Sequence, residues 1–351
     1  MSQKCIFVTE EYFHDFLQLP NTLYKHDINP RNVETEIQLL SGTHVLSGDI
    51  QFFPYIVMEE SQVVARCALT YYAEDDTAYL GFFDAYDNLS AVQTMFSVVE
   101  NKAKADGKSR IIGPIDASIY INYRFKTDRF DKIYTSEPYN KEYYPRLWTQ
   151  SGYKIKDKYM SNQLRQVQQK DIDERLARIN MRFQERNYLF TELNKKTFIS
   201  QLEDIYELMM DLYSDFTGYK RITKEQFVIL FSSIQHILDF SMTKLAYKDN
   251  KMQAFCIAIP NYNGLTHGYV SMLDMLKIMR LKMKPKEYVI LYAGSKSPGL
   301  GGALVHEIRE ELFKNQCTSI GALIKEGNVT GTMYQDLYTD KFSYVLLSKE
   351  I

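Results

Sequence analysis

The sequence is short of the residues that break or staple chains. Its 351 residues include 16 glycines, 9 prolines, 4 cysteines and one tryptophan. So little glycine and proline excludes long flexible linkers and low-complexity architectures. Cys5, Cys67, Cys256 and Cys317 lie far apart, form no Cys-x-x-Cys pair and have no histidine at ligand spacing. Neither a disulfide framework nor a metal site is expected from them. An excess of one charge is also missing: 42 Lys and Arg face 44 Asp and Glu, a net of −2. That balance argues against sequence-independent nucleic-acid binding. No run of about 18 apolar residues occurs, and the N-terminus turns acidic at Glu10-Glu11 before a signal-peptide core forms. The expectation is a cytoplasmic protein, monomer or homodimer, without membrane or nucleic-acid partners.

What is present is apolar. Hydrophobic residues make up 45% of the chain, enough for the cores of two domains at roughly 150 residues each. Strand patterns cover 51–58, 62–72 and 77–85, and a helical pattern follows over 88–105. A short strand at 110–113, a helix over 141–150 and a closing strand at 153–164 complete the first half. The second half repeats this order. A hairpin spans 240–247 and 252–259, a strand 287–293, a helix 302–314, a strand 318–324, a short helix 328–338 and a last strand 342–348. A charged amphipathic segment, 171–186, reads as a linking helix. The fold class is therefore α/β, of the mixed-sheet α+β kind, in two copies. The divisions are 1–165, a linker at 166–186, and 187–351.

The sharpest local feature is Lys296-Ser297-Pro298-Gly299-Leu300-Gly301-Gly302-Ala303, set between a strand and a helix. Glycines there permit positive φ and close backbone approach, and N–H groups at a helix start hold phosphate oxygens. The triphosphate loop is excluded, since no Gly-Lys-Ser/Thr follows, and the dinucleotide fingerprint would need a glycine at Leu304.

A basic or amide residue, two residues, Gly, one residue, Gly resembles the pyrophosphate signature of the GNAT acyl-CoA N-acyltransferases. Asn328 to Tyr334 resembles their fourth helix, one residue shorter than the commonest form. Further similarity, in Gly81-Phe82-Phe83-Asp84, Gly113-Pro114, Tyr139-Asn140 and Tyr213-Ser214-Asp215-Phe216-Thr217-Gly218-Tyr219, extends to a tandem-GNAT bacterial group. The resemblance implies two tandem GNAT-like domains, each a mostly antiparallel mixed sheet flanked by helices. It also implies acetyl-CoA or another acyl-CoA as co-substrate, bound by Tyr292, Ala293, Gly294, Lys296, Gly299, Leu300, Gly301, Gly302, Ala303 and Asn328. The first half has Tyr86-Asp87-Asn88 in place of the glycine turn and Trp148 in place of Tyr334, and so reads as a degenerate copy.

The implied reaction is transfer of an acyl group, acetyl being expected, to the primary amine of a small metabolite, amino-acid derivative or antibiotic. Tyr334 would protonate the departing thiolate. Glu326 and His267 are candidate bases, and Asp215 and Tyr219 candidate acceptor-binding residues. A non-catalytic acyl-CoA sensor and an aminoacyl transferase using charged tRNA are the alternatives. The basic run 277–286 fits anionic lipid or a CoA phosphate, but a solvated connector is the simpler reading.

Overall fold

The structure is a computed structural model that describes every residue except 1, 2, 173, 269 and 328–334. It divides into two units. The first comprises Met1–Tyr159, Thr266–Val270 and Ser343–Ile351; the second comprises Met160–Leu265 and Ser271–Phe342. The end of the chain thus clusters with the first unit, although the sequence order places it after the second.

In the first unit, β1 (Gln3–Phe7), β2 (Ile50–Glu59), β3 (Gln62–Tyr72) and β4 (Thr77–Ala85) form an antiparallel run. β5 (Arg110–Gly113) joins parallel to β4. The last strand, β13 (Tyr338–Glu350), then pairs antiparallel with β5, matching Leu347 to Gly113 and Glu350 to Arg110. The short β6 (Phe125–Lys126) also pairs with β13. On one face, α3 (Leu89–Ala105) and α4 (Tyr144–Gln150) bury Met95, Phe96, Val99 and Trp148 against Leu69, Leu80 and Phe83. On the other, α1 (Phe13–Leu23) and α2 (Val33–Leu40) contribute Phe16 and Leu39 to a cluster with Ile56, Ala68 and Phe82. These two helices lie in a stretch where the sequence patterns above mark no element.

In the second unit the strand order is β7 (Lys154–Leu164, through its end), β12 (Thr318–Lys325), β11 (Glu287–Ser295), β10 (Lys251–Pro260), β9 (Thr243–Lys248) and β8 (Leu189–Glu192). All are antiparallel from β8 to β11, and β11 is parallel to β12. One face is covered by α9 (Leu300–Lys314) and α5 (Glu174–Glu185), which bury Leu300, Ala303, Leu304, Ile308 and Phe183 against Ala254, Cys256 and Tyr288. The other face receives α6 (Phe198–Leu212), whose Leu202, Ile205, Leu208 and Met209 are buried. The sequence elsewhere adds α7 (Lys224–Phe231) and α8 (Met272–Met283).

Small differences from the sequence patterns have local causes. Residues 240–242 form a 3-10 turn rather than strand, because Asp239 caps them by accepting from Ser241 N–H. Tyr338 opens the last strand instead of ending a helix.

The loops between equivalent strands differ. β3 and β4 are joined by residues 73–76, whereas β10 and β11 are joined by residues 261–286, which include α8.

Candidate functional site

The pairing of β11 with β12 joins Glu287 to Thr318, Tyr288 to Ser319, Val289 to Ile320 and Ile290 to Gly321, and then stops. β11 nevertheless runs on to Ser295, and β12 to Lys325. The strands therefore part, leaving a notch. A bulge contributes to this. β10 pairs Ile257 with Tyr292 but Ala258 with Ile290, so Leu291 is the extra residue, and a bulge bends its strand. An apolar cavity of about 100 Å³ opens there, lined by Ile290, Ala293, Gly321 and Ile324 with Val305 and Ile308 of α9.

β11 leads into α9 through Ser297-Pro298-Gly299-Leu300. The Leu300 N–H donates to Ser297 O at 3.2 Å. Gly299 sits third in the turn at φ 84° and ψ −19°, the geometry of a type II turn with proline second. Left-handed φ is what requires glycine here. The first bond within the helix runs from Ala303 N–H to Gly299 O at 3.1 Å. No side chain caps the helix, and no described residue accepts from the N–H groups of Gly301 or Gly302. A Cβ at Gly301 would meet only Ser295 Cβ, at 3.6 Å. At Gly302 it would lie 3.4 Å from Leu176 Cδ2, and at Gly299 3.8 Å from Phe183. α5 thus walls one flank of the helix start, and the Gly301 side is open. Two N–H groups without an acceptor among the described residues, at the positive end of a helix dipole, have the chemistry to receive an anion. Leu300 and Ala303 are buried, so their side chains anchor the turn in the core.

Around the end of β11 the neighbours come from α6. Lys296 Nζ is 3.0 Å from Asp211 Oδ2, both exposed, and its N–H donates to Gln253 O. Tyr213 OH donates to Ala293 O at 3.1 Å; burial pushes this hydroxyl's pKa up. A Cβ on Gly294 would stand 2.7 Å from Leu212 Cδ1, so the close approach of α6 depends on that glycine. Tyr292 is half-buried, edge-on to Phe231.

The first unit shows the same parts with every opening filled. β4 pairs with β5 only from Thr77–Arg110 to Tyr79–Ile112, and a bulge opposite Cys67 holds Phe82 at φ 48°. Here the Phe82 N–H donates to the Asp116 carboxylate. The parting is occupied by backbone and by indole: a Cβ on Gly81 would lie 2.0 Å from Ile115 O, and one on Gly113 2.6 Å from Trp148 Cη2. The start of α3 is capped by its own Asn88, which accepts from Ala91 N–H at 3.1 Å. Asp87, ion-paired with Arg146, stands beside it. Beneath lies a buried ionic network. Arg66 holds Glu36 through both oxygens, at 2.6 and 2.9 Å, and Asp84 at 2.9 Å. Arg31 bridges Asp84 at 3.0 Å and Asp116 at 2.9 Å.

The other sequence-derived candidates scatter. His267 belongs to the first unit, where its Nε2 is 3.0 Å from Glu137 O and burial lowers its pKa. Glu326 is exposed just past β12. Asp215 is exposed in the turn after α6, and Tyr219 OH donates to Met210 O at 2.9 Å. Tyr334 and Asn328 lie outside the described residues. The structure therefore brings together Tyr292, Ala293, Gly294, Lys296 and 299–303, and among the described residues neither His267 nor Glu326 is shown in contact with them. Sequence reasoning missed Asp211, Leu176 and the bulge at Leu291. Asp211 is 85 positions from its partner Lys296, and no local pattern signals such a pair.

No established family profile matches the chain. Over 268 residues, 73% of this chain and 68% of the relative, it is 22% identical to protein YghO of Escherichia coli strain K12. Among solved structures it resembles a tandem GNAT protein from the clavulanic acid biosynthesis pathway, with a TM-score of 0.52, 10% identity, and coverage of 99% of this chain and 98% of that one. It also resembles a probable N-acyltransferase from Enterococcus faecalis V583, with a TM-score of 0.55, 9% identity, and coverage of 100% and 73%. A GCN5-related N-acetyltransferase from Anabaena variabilis gives a TM-score of 0.53 at 9% identity, covering 99% and 73%. Each unit has a bulged strand that parts from its parallel neighbour, and the chain has the GNAT fold in tandem.

Proposed function

We propose that the second unit is an N-acyltransferase that takes its acyl group from CoA and passes it to the primary amine of a small molecule. The observation that carries this reading is the free pair of N–H groups at Gly301 and Gly302, beside the notch that opens past Ile290 and Gly321. The named neighbours are N-acetyltransferases or a probable N-acyltransferase, which supports the same reaction class.

The residues present fit an acyl-CoA. Gly301 and Gly302 offer N–H donors to a diphosphate, and Lys296 supplies a cation at the same turn. The apolar walls of Ile290, Ala293 and Ile324 suit a thin, uncharged arm. When bound, the thioester supplies an electrophilic carbonyl and a thiolate leaving group. Holding that carbonyl beside an amine removes much of the entropic barrier. Backbone N–H groups of the parted strand near Tyr292 to Gly294 would stabilise charge on the carbonyl oxygen. Tyr334 would deliver the proton to the leaving sulfur, with Asn328 bonding the arm. Asp215, exposed in the turn after α6, favours a cationic amine approaching from that face. The first unit, with its notch filled and its helix start capped, serves as a fold partner without a donor site of its own.

The test is mass spectrometry of the purified protein for retained acyl-CoA, followed by a thiol-release assay with acetyl-CoA and longer acyl-CoAs across a panel of amines. Amine-dependent thiol release is expected. CoA binding without release by any amine would leave a sensor, and no CoA binding would end the proposal.

A further inference from the structure

The segment joining β10 to β11 has no counterpart in the first unit, where residues 73–76 suffice. Its helix α8 is well begun. Ser271 caps it, accepting from Asp274 N–H at 3.2 Å, and Asp274 in turn pairs with Lys277 at 3.1 Å. Yet no residue of α8 is buried. A helix on a protein in water normally turns its apolar stripe to the core. α8 does the opposite. Met272, Leu273, Met275, Leu276, Met279 and Met283 are between 49% and 80% exposed. Five of them, all but Leu273, fall within about 100° of arc at 3.6 residues per turn. Asp274, Ile278 and Leu281, on the opposite side, are less exposed, as is Lys282, whose Nζ donates to His236 O. The solvated connector expected from the sequence would show its charges and hide its methionines.

The charge around the stripe is of one sign. Lys277, Arg280, Lys282, Lys284 and Lys286 stand against Asp274 alone between 271 and 286, in a chain whose net charge is −2. Lys277, Arg280, Lys284 and Lys286 are exposed. A second copy of the chain docking through the same helix would bring two such basic segments together, and like charges in contact oppose that pairing. An apolar stripe edged with Lys and Arg matches a surface that is apolar inside and anionic outside.

We infer that α8 is an interfacial helix that seats this protein on anionic lipid bilayers. The stripe from Met272 to Met283 enters the acyl-chain boundary, and Arg280, Lys284 and Lys286 meet the lipid phosphates, their stems lying along the apolar surface. The protein lies on the membrane without spanning it; among the described residues no helix is long and apolar enough to cross. The inference goes beyond acyl transfer and does not depend on it.

Vesicle flotation with the full-length protein tests this. Vesicles of phosphatidylcholine alone are compared with equal parts phosphatidylcholine and phosphatidylglycerol, and light scattering reports the oligomeric state. Binding to the anionic vesicles is expected, falling about tenfold or more for Leu276→Glu/Met279→Glu and likewise for Arg280→Ala/Lys284→Ala. Both pairs are exposed, so circular dichroism should be unchanged. Absence of binding to anionic vesicles, or binding indifferent to both variants, overturns the inference. A dimer that Leu276→Glu dissociates, with no vesicle binding, overturns it in favour of self-association.

Discussion

Ile290 and Gly321 are the last residues at which β11 and β12 face one another, and every feature of the candidate site lies just beyond that pair. Past it, Leu291 bulges, the strands separate, and the chain reaches the turn at Gly299. In the first unit the equivalent last pair, Tyr79 and Ile112, leads only into Ile115, Asp116 and Trp148. The same fold thus presents one open parting and one that is filled.

The open helix start gives the first prediction. Gly301→Ala adds a Cβ whose only contact is Ser295 Cβ at 3.6 Å, so it should fold and bind CoA nearly normally. Gly301→Glu sets a carboxylate where the diphosphate is received, and CoA affinity should drop at least tenfold, about 1.4 kcal/mol or more. Isothermal titration of both variants checks this. Equal affinities would show that the anion binds elsewhere.

Tyr334→Phe would remove the proposed proton donor without touching the glycine turn. kcat should fall by about 10²- to 10⁴-fold with the CoA dissociation constant unchanged. A steady-state comparison with the best amine acceptor reads both quantities, and an undiminished kcat would remove Tyr334 from the mechanism.

The ionic network beneath the first unit is a stability element. Arg66→Met strands Glu36 and leaves Asp84 with Arg31 as its cation beside the Tyr24 and Tyr144 hydroxyls, so the first unit should lose about 3–5 kcal/mol. Trp148 is the only tryptophan and is fully buried in that unit, so its fluorescence in a urea titration follows this unit directly. Glu36→Met/Arg66→Met removes both charges and should recover part of the loss. A midpoint unmoved by Arg66→Met would mean the network contributes nothing.

All four thiols should be silent in the native protein. Burial disfavours the thiolate and pushes Cys5 and Cys256 up to about 12, with Cys67 and Cys317 raised for the same reason. A raised pKa keeps the thiol protonated and unreactive through pH 8. A disulfide reagent at pH 8 should therefore find almost no fast thiol until denaturant exposes four. One rapidly reacting native cysteine would contradict this, and silence makes the thiol-release assay clean.

Much of this protein can be read from its sequence because much of it is local. The alternation that makes β2, β3 and β4, the spacing that makes α3 and α9, and the Pro298-Gly299 turn each depend on residues within a few positions of one another. The duplication is legible for the same reason: two copies of one element order need no contacts to be seen. The helices α1 and α2 show no such clarity, since Phe16 and Leu39 become core residues only once β2 and β3 lie beneath them.

Tertiary structure decided the rest. The walls of the helix start come from distant sequence: α5, more than a hundred residues away, places Leu176 against Gly302, while only Ser295 Cβ stands within 4 Å of a Cβ at Gly301. His267 lies in the same half of the sequence as the glycine turn, yet its segment clusters with the first unit, as does Ser343–Ile351. The methionines of α8 recur at helical spacing, but periodicity gives the face of a helix and not the direction it faces. Only long-range packing, which spends apolar surface wherever neighbours exist to cover it, determines which stripe is buried and which is left for another partner.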